Sequence, residues 1–91
     1  MAEGSHGQKI EIVFVVNGEN VPVDANVHEA LRVAVQHALT ASQNTGRPPD
    51  EWEVRDAKGA LLDVNRKIEE FKFSSGVRLF ISLRVGAGGV G

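Results

Sequence analysis

The sequence predicts an α+β fold, a mixed sheet of four to five strands laid over one helix. Three observations predict it. Two long segments, Lys9 to Val16 and Val77 to Arg84, place apolar residues at period two, the repeat of a strand with one buried face. Between them, Val27, Ala30, Leu31, Ala34, Val35, Ala38 and Leu39 fill the i, i+3, i+4, i+7 positions of a helix with one apolar stripe. The dipeptide Asn17-Gly18, directly after the first segment, has the positive-φ preference of a tight hairpin turn. One apolar stripe and one apolar sheet face are buried most simply against each other.

Residues 1–8 are small, polar and glycine-containing, and are expected to form a disordered tail ahead of a domain spanning 9–85. In the first strand Ile10, Ile12, Phe14 and Val16 share the core face, while Val13 and Val15 make the other face partly apolar. That is the pattern of a strand near the middle of a sheet. The return strand, Val21 to Asp24, contains Pro22, which has no N–H for a ladder and therefore belongs at the sheet edge. Asn26 is positioned to cap the helix, with Glu29 completing a capping box. Gly46 is the expected left-handed stop, although the helix can fray beyond Ala41, and Pro48-Pro49 forbid its continuation. Trp52 and Val54 alternate with Glu53 and Arg55 in a short strand, Asp56 to Gly59 form a turn, and Leu61, Leu62 and Val64 return to the core. Ile68, Phe71 and Phe73 form a short irregular segment covering one end of that core. After a turn at Ser74-Ser75-Gly76, Val77, Leu79, Ile81 and Leu83 face inward in the last strand, with Phe80, Arg78 and Arg84 outward. The first and last long strands are expected side by side in the centre.

Composition narrows the chemistry. Hydrophobic residues are 42% and charged residues 24%, ordinary for one globular domain. A formal net charge of -2 offers no electrostatic grip on phosphate backbones or anionic lipid, so neither nucleic acid nor membrane is an expected partner. There is no cysteine, so the chain has no disulfide, thiolate ligand or thiol nucleophile, and any thioester must use a partner's sulfur. No apolar run approaches the ~20 residues of a membrane span, and the N-terminus lacks a basic-then-apolar signal pattern. A cytoplasmic location is the expectation. His28 and His37 are spaced too far apart on the expected helix to pair on a metal, and His6 is in the tail. Asp50, Glu51, Glu53 and Glu69-Glu70 meet no base or nucleophile and read as solvated charge. No glycine-rich phosphate loop, G-x-S-x-G or H-E-x-x-H occurs, and no enzyme activity or cofactor is expected.

The last strand leads into Gly86-Ala87-Gly88-Gly89-Val90-Gly91. Glycine has no Cβ and reaches backbone conformations closed to other residues, so such a tail can enter a narrow enzyme channel. Gly88 and Gly89 keep the tail thin where a channel must close around it. Val90-Gly91 would have to be removed before the Gly89 carboxylate could react.

Two segments then carry a resemblance. Gly46-Arg47-Pro48-Pro49-Asp50 resembles the Gly-x-Pro-Pro-Asp that follows the helix of ubiquitin, and Val77-Arg78-Leu79-Phe80-Ile81-Ser82-Leu83-Arg84 with its glycine tail resembles ubiquitin's last strand and tail. The chain is similar to ubiquitin over about residues 9 to 89, and more specifically to bacterial ubiquitin-like modifier precursors. The resemblance implies the ubiquitin-like β-grasp fold and a modifier that is trimmed after Gly89. It implies activation at the new carboxylate by an E1-like adenylating enzyme and transfer through an E2-like conjugating enzyme to amines of target proteins, as isopeptide bonds. A metal-dependent trimming protease is the remaining implied partner. The departures are informative. The stretch from helix to prolines is longer than ubiquitin's by roughly two turns' worth of residues. Arg84 alone remains to match a tail arginine, and Glu53 and Arg55 stand where ubiquitin presents an aliphatic patch. Phe80 with Val13 or Val15 is the candidate replacement patch, and Arg84 the candidate cation for a carboxylate on the activating enzyme. Two other readings stay open: a sulfur carrier of the same shape ending in a thiocarboxylate, and a protein-interaction domain whose tail is idle.

Overall fold

The structure is a computed structural model, and residues 8–46, 48 and 51–84 are described. In chain order the elements are β1 (Lys9–Val16), β2 (Glu19–Asn26), α1 (Leu31–Ala41), β3 (Trp52–Arg55), a 3₁₀ helix (Ile68–Phe71) and β4 (Val77–Leu83). The four strands form one sheet in the order β2-β1-β4-β3. The outer pairs β1–β2 and β3–β4 are antiparallel, and the central pair β1–β4 is parallel. The long strands are therefore adjacent in the centre and Pro22 lies on an edge strand, as the patterns predict. This is the β-grasp arrangement. The returning segment at Leu61 to Val64 forms no strand of its own and meets β3 only in a bridge between Arg55 and Leu61.

The core lies between the sheet and α1. Leu31, Ala34, Val35, Ala38 and Leu39 are buried on the helix stripe, facing Ile12, Phe14, Val16, Leu79 and Ile81 from the two central strands. Trp52 and Val54 of β3, Val21 and Ala25 of β2, and Ile68 complete it. The β1–β2 turn has Asn17 at φ 52 and Gly18 at φ 81, both positive as a type I′ hairpin requires. Phe71 and Phe73 stack nearly parallel at 5.1 Å beside the core.

The expected helix start is corrected, and the helix ends at Ala41, where fraying was expected, with a stop other than Gly46. Helix α1 starts at Leu31, so Val27 and His28 precede it, and the N-cap position is Ala30, without a side-chain cap. Asn26 Oδ1 instead accepts the N–H of His28 at 2.8 Å in a local turn. The first helical donors are satisfied by tertiary structure: Leu31 N–H donates to Arg66 O and Arg32 N–H to Val64 O, both at 2.9 Å. The preceding residues 27–30 turn against 66–69, with an antiparallel bridge between Ala30 and Lys67, Ile68 N–H donating to Glu29 O and Glu69 N–H to Val27 O. At the other end Gln43, not Gly46, takes the left-handed conformation, at φ 64. Gln43 N–H donates to Thr40 O and Asn44 N–H to Leu39 O, the paired bonds of a Schellman stop. Asn44 Oδ1 also accepts from Asn17 Nδ2 at 3.1 Å, tying the helix end to the hairpin turn.

Three other expectations shift. Leu61 is 58% exposed rather than in the core, because the tight turn 56–60 carries it past the sheet edge. That turn is held by Asp56 Oδ1, which accepts the N–H groups of Lys58 and Ala60. Leu83 has the inward phase but is 39% exposed, since it stands at the last rung where the core ends. Gln8, assigned by sequence to the tail, accepts the Val27 N–H at 3.0 Å and belongs to the folded part. Residues 1–7 and 85–91, including Val85 at the domain boundary, lie outside the described residues.

Candidate functional site

The register determines what the free face of the sheet presents. Leu79 pairs with Phe14 on the core side, so Arg78, Phe80 and Ser82 point outward together with Val13 and Val15 of β1. Phe80 lies directly beside Val15 on one side and Arg55 on the other. Val13 stands between Pro22 and Arg78. An apolar stripe of Pro22, Val13, Val15 and Phe80 thus crosses three strands, and Phe80 is 39% exposed. The residues expected from the sequence as a replacement patch, Phe80 with Val13 and Val15, share this face.

Polar groups frame the stripe and are held in place. Arg78 Nη2 donates to Asn20 Oδ1 at 3.2 Å across β1. Arg55 donates from Nε to Glu53 Oε2 at 3.2 Å and from Nη1 to Gly59 O at 2.9 Å. The two outward charges of β3 therefore neutralise each other beside Phe80. Glu69 lies 3.2 Å from His28 Nδ1, and Glu70 accepts from Arg66 Nε at 2.8 Å. Of the acidic groups read as solvated charge, Glu53 and Glu70 are paired with Arg55 and Arg66, while Asp50 lies outside the described residues; exposed ion pairs typically contribute about 0–1 kcal/mol. Among the described residues no group of three or more His, Asp or Glu side chains could hold a metal ion.

Arg84 follows β4 immediately. Its N–H donates to Glu51 O at 2.9 Å, so the ladder between the β3 and β4 segments extends one rung to the strand-to-tail junction. Its side chain is exposed and has no ion pair among the described residues. Gly88, Gly89 and Val90, the processing and conjugation residues expected from the sequence, lie outside the described residues, and the structure does not bring Arg84 and Phe80 together: Phe80 lies within β4 and Arg84 one residue past its end, where it lines a groove with Trp52 and Val64. One feature had no sequence signal. Trp52 is 7% exposed, and its indole Nε1 is buried without a hydrogen-bond partner among the described residues. Alternation with Glu53 identifies Trp52 as a core residue but says nothing about its N–H.

Comparisons with known proteins agree with this geometry. A family model described as "Protein of Unknown function (DUF2604)" matches residues 5–89. Uncharacterized protein y4jI of Sinorhizobium fredii (strain NBRC 101917 / NGR234) is 43% identical over 81 residues, covering 89% of this chain. The chain spans 62% of that relative's length. Among solved structures, a de novo design based on ubiquitin superposes with a TM-score of 0.69 at 23% identity, covering 91% of this chain and 98% of the design. Caldiarchaeum subterraneum ubiquitin also gives 0.69, at 16% identity, with 88% and 99% covered. The ubiquitin-like domain of Arabidopsis thaliana protein At2g32350 gives 0.66 at 17% identity, with 91% and 87% covered. At these identities the likeness establishes the fold, a ubiquitin-like β-grasp.

Proposed function

This chain belongs to the family described as Protein of Unknown function (DUF2604), and we propose that it is a ubiquitin-like protein modifier rather than an enzyme. The observation that carries the reading is continuity: β4 of a ubiquitin-like fold runs through the anchored Arg84 into Val85-Gly86-Ala87-Gly88-Gly89. The fold supplies a rigid body that a partner can grip, and the tail a carboxylate that the same partner can reach. In this reading a metal-dependent protease cuts between Gly89 and Val90. An E1-like adenylating enzyme, gripping the Phe80 face, draws the tail into its channel with a carboxylate against Arg84. The Gly89 carboxylate attacks the α-phosphorus of ATP, pyrophosphate leaves, and a thiolate of the enzyme then displaces AMP to give a thioester. An E2-like enzyme carries the thioester to a target amine. Proximity and in-line geometry supply most of the rate in such a step, so the tail's thinness matters more than any side chain of the modifier.

The test uses the cognate enzymes, ATP and three forms of the chain: full-length, ending at Gly89, and ending at Gly89 with Gly88→Val. Charging of the activating enzyme is read as an ATP-dependent, thiol-labile adduct. Only the form ending at Gly89 with Gly88 intact is expected to charge. Equal charging of the full-length form would refute the trimming step, and no charging of any form would refute the modifier reading. Mass spectrometry of the charged species also distinguishes the sulfur carrier, whose terminal carboxylate would gain sulfur in place of oxygen.

A further inference from the structure

A groove separate from the outer sheet face runs between α1, β3 and the 61–65 loop, ending at Arg84. One part of it, about 370 Å³, is lined by Arg32, Val35, Gln36, Trp52, Val64, Asn65 and Arg84. Its floor is Val35, Trp52 and the half-buried Val64, and its rim is two arginines and two amides. Among the described residues the lining includes no carboxylate and neither arginine has an ion pair. The floor residue Trp52 carries the buried indole N–H without a partner. The adjoining part, sharing Trp52, Val64, Asn65 and Arg84, has the opposite character. It is bounded by the exposed Leu61, by Leu62, and by Glu53 and Asp63. Both carboxylates are engaged, Glu53 by Arg55 and Asp63 by the N–H of Asn65.

We infer that this groove docks an extended segment of a partner protein in which an acidic side chain lies next to apolar ones. The carboxylate is set between Arg32 and Arg84, which hold it by charge-assisted hydrogen bonds. The neighbouring apolar residues cover Val64 and reach Leu61. Asp63, which accepts a backbone N–H but has no cationic partner among the described residues, repels a second acidic residue at the far end, so the groove reads the position of the acid and not merely net charge. A partner seated here stands beside Arg84, which precedes the glycine tail in sequence. The assignment goes beyond the modifier reading and does not depend on it, because it concerns binding alone.

The experiment needs neither ATP nor a partner enzyme. Trp52 is the single tryptophan, so its indole N–H gives one nuclear magnetic resonance signal that reports on the floor. The full chain is titrated with an acetylated and amidated six-residue peptide containing one glutamate among leucine and serine residues, and with the same peptide carrying glutamine. The glutamate peptide is expected to move the indole signal saturably, and the glutamine peptide to bind about tenfold more weakly. Arg32→Gln and Arg84→Gln, each with an unchanged circular dichroism spectrum, are expected to bring the glutamate peptide down to the glutamine level. Equal binding of the two peptides, a motionless indole signal, or arginine variants that bind as well as the parent would overturn the proposal. So would a chain ending at Arg84 whose indole signal already differs from that of the full chain as the peptide-bound form does. That result would assign the groove to the molecule's own tail.

Discussion

Gln43 is a residue in the wrong chemistry for its place. It stops α1 in the left-handed conformation, which glycine adopts without a Cβ penalty and other residues adopt at a cost. The bonds from Gln43 and Asn44 back to Thr40 and Leu39 hold it there. Gln43→Gly is therefore expected to stabilise the domain by about 0.5–1 kcal/mol, net of the entropy glycine adds to the unfolded chain. The urea midpoint measures this, and a fall would mean that the Gln43 side chain makes a compensating contact. The sequence pointed to Gly46 instead, because a glycine before prolines is the stronger stop signal on paper. What the pattern could not weigh was the pairing of Asn44 with Asn17, which fastens the chain three residues after Ala41.

Among the elements, β4 does the most with the least sequence. Its alternation puts Leu79 and Ile81 into the core and Phe80 between Val15 and Arg55 on the free face. The same strand therefore contributes to stability through one face and is available for recognition through the other. Phe80→Ser is expected to leave the circular dichroism spectrum intact and to change stability by no more than about 1 kcal/mol, the cross-strand contact with Val15 being the loss. In the modifier reading it weakens docking to the adenylating enzyme, which calorimetry reads directly. Loss of structure with this change would show that Phe80 belongs to the core, and undiminished affinity would remove the stripe from the docking surface. The strand's register, the edge position of β2 and the hairpin turn all follow from local pattern. The reduction of the 61–64 segment to a single bridge does not, because a run of apolar residues is the same on paper whether or not a sheet edge remains to receive it.

The whole molecule depends on one layer of contact between helix and sheet. Leu31 is fully buried at the first turn of α1, where its N–H is also the donor to Arg66 O. Leu31→Ala is expected to cost about 2–5 kcal/mol through lost transfer energy and the cavity left behind. That is a large share of the ~5–15 kcal/mol by which such domains are stable. An unchanged urea midpoint would overturn the packing described above. The 61–69 segment contributes at the same scale, since it caps the helix N-terminus, buries Ile68 and walls the groove at Trp52.

By itself, the sequence determined the α+β class, the central pairing of the long strands, the edge strand at Pro22, the buried helix stripe and the outward phase of Phe80. Each is written in periodicity or in the hydrogen-bonding limits of one residue type, which act over a few neighbours. Only tertiary structure decided where the helix begins and ends, that Leu61 and Leu83 lie outside the core, and that Arg32, Trp52 and Arg84 line one groove. Those outcomes depend on groups distant in the chain: carbonyls of 64–66 that replace a side-chain cap, a hairpin asparagine that fastens the helix end, and a loop laid against β3. Local pattern specifies which face of an element is apolar, but which donors, acceptors and charges meet across the molecule is determined only when the faces close.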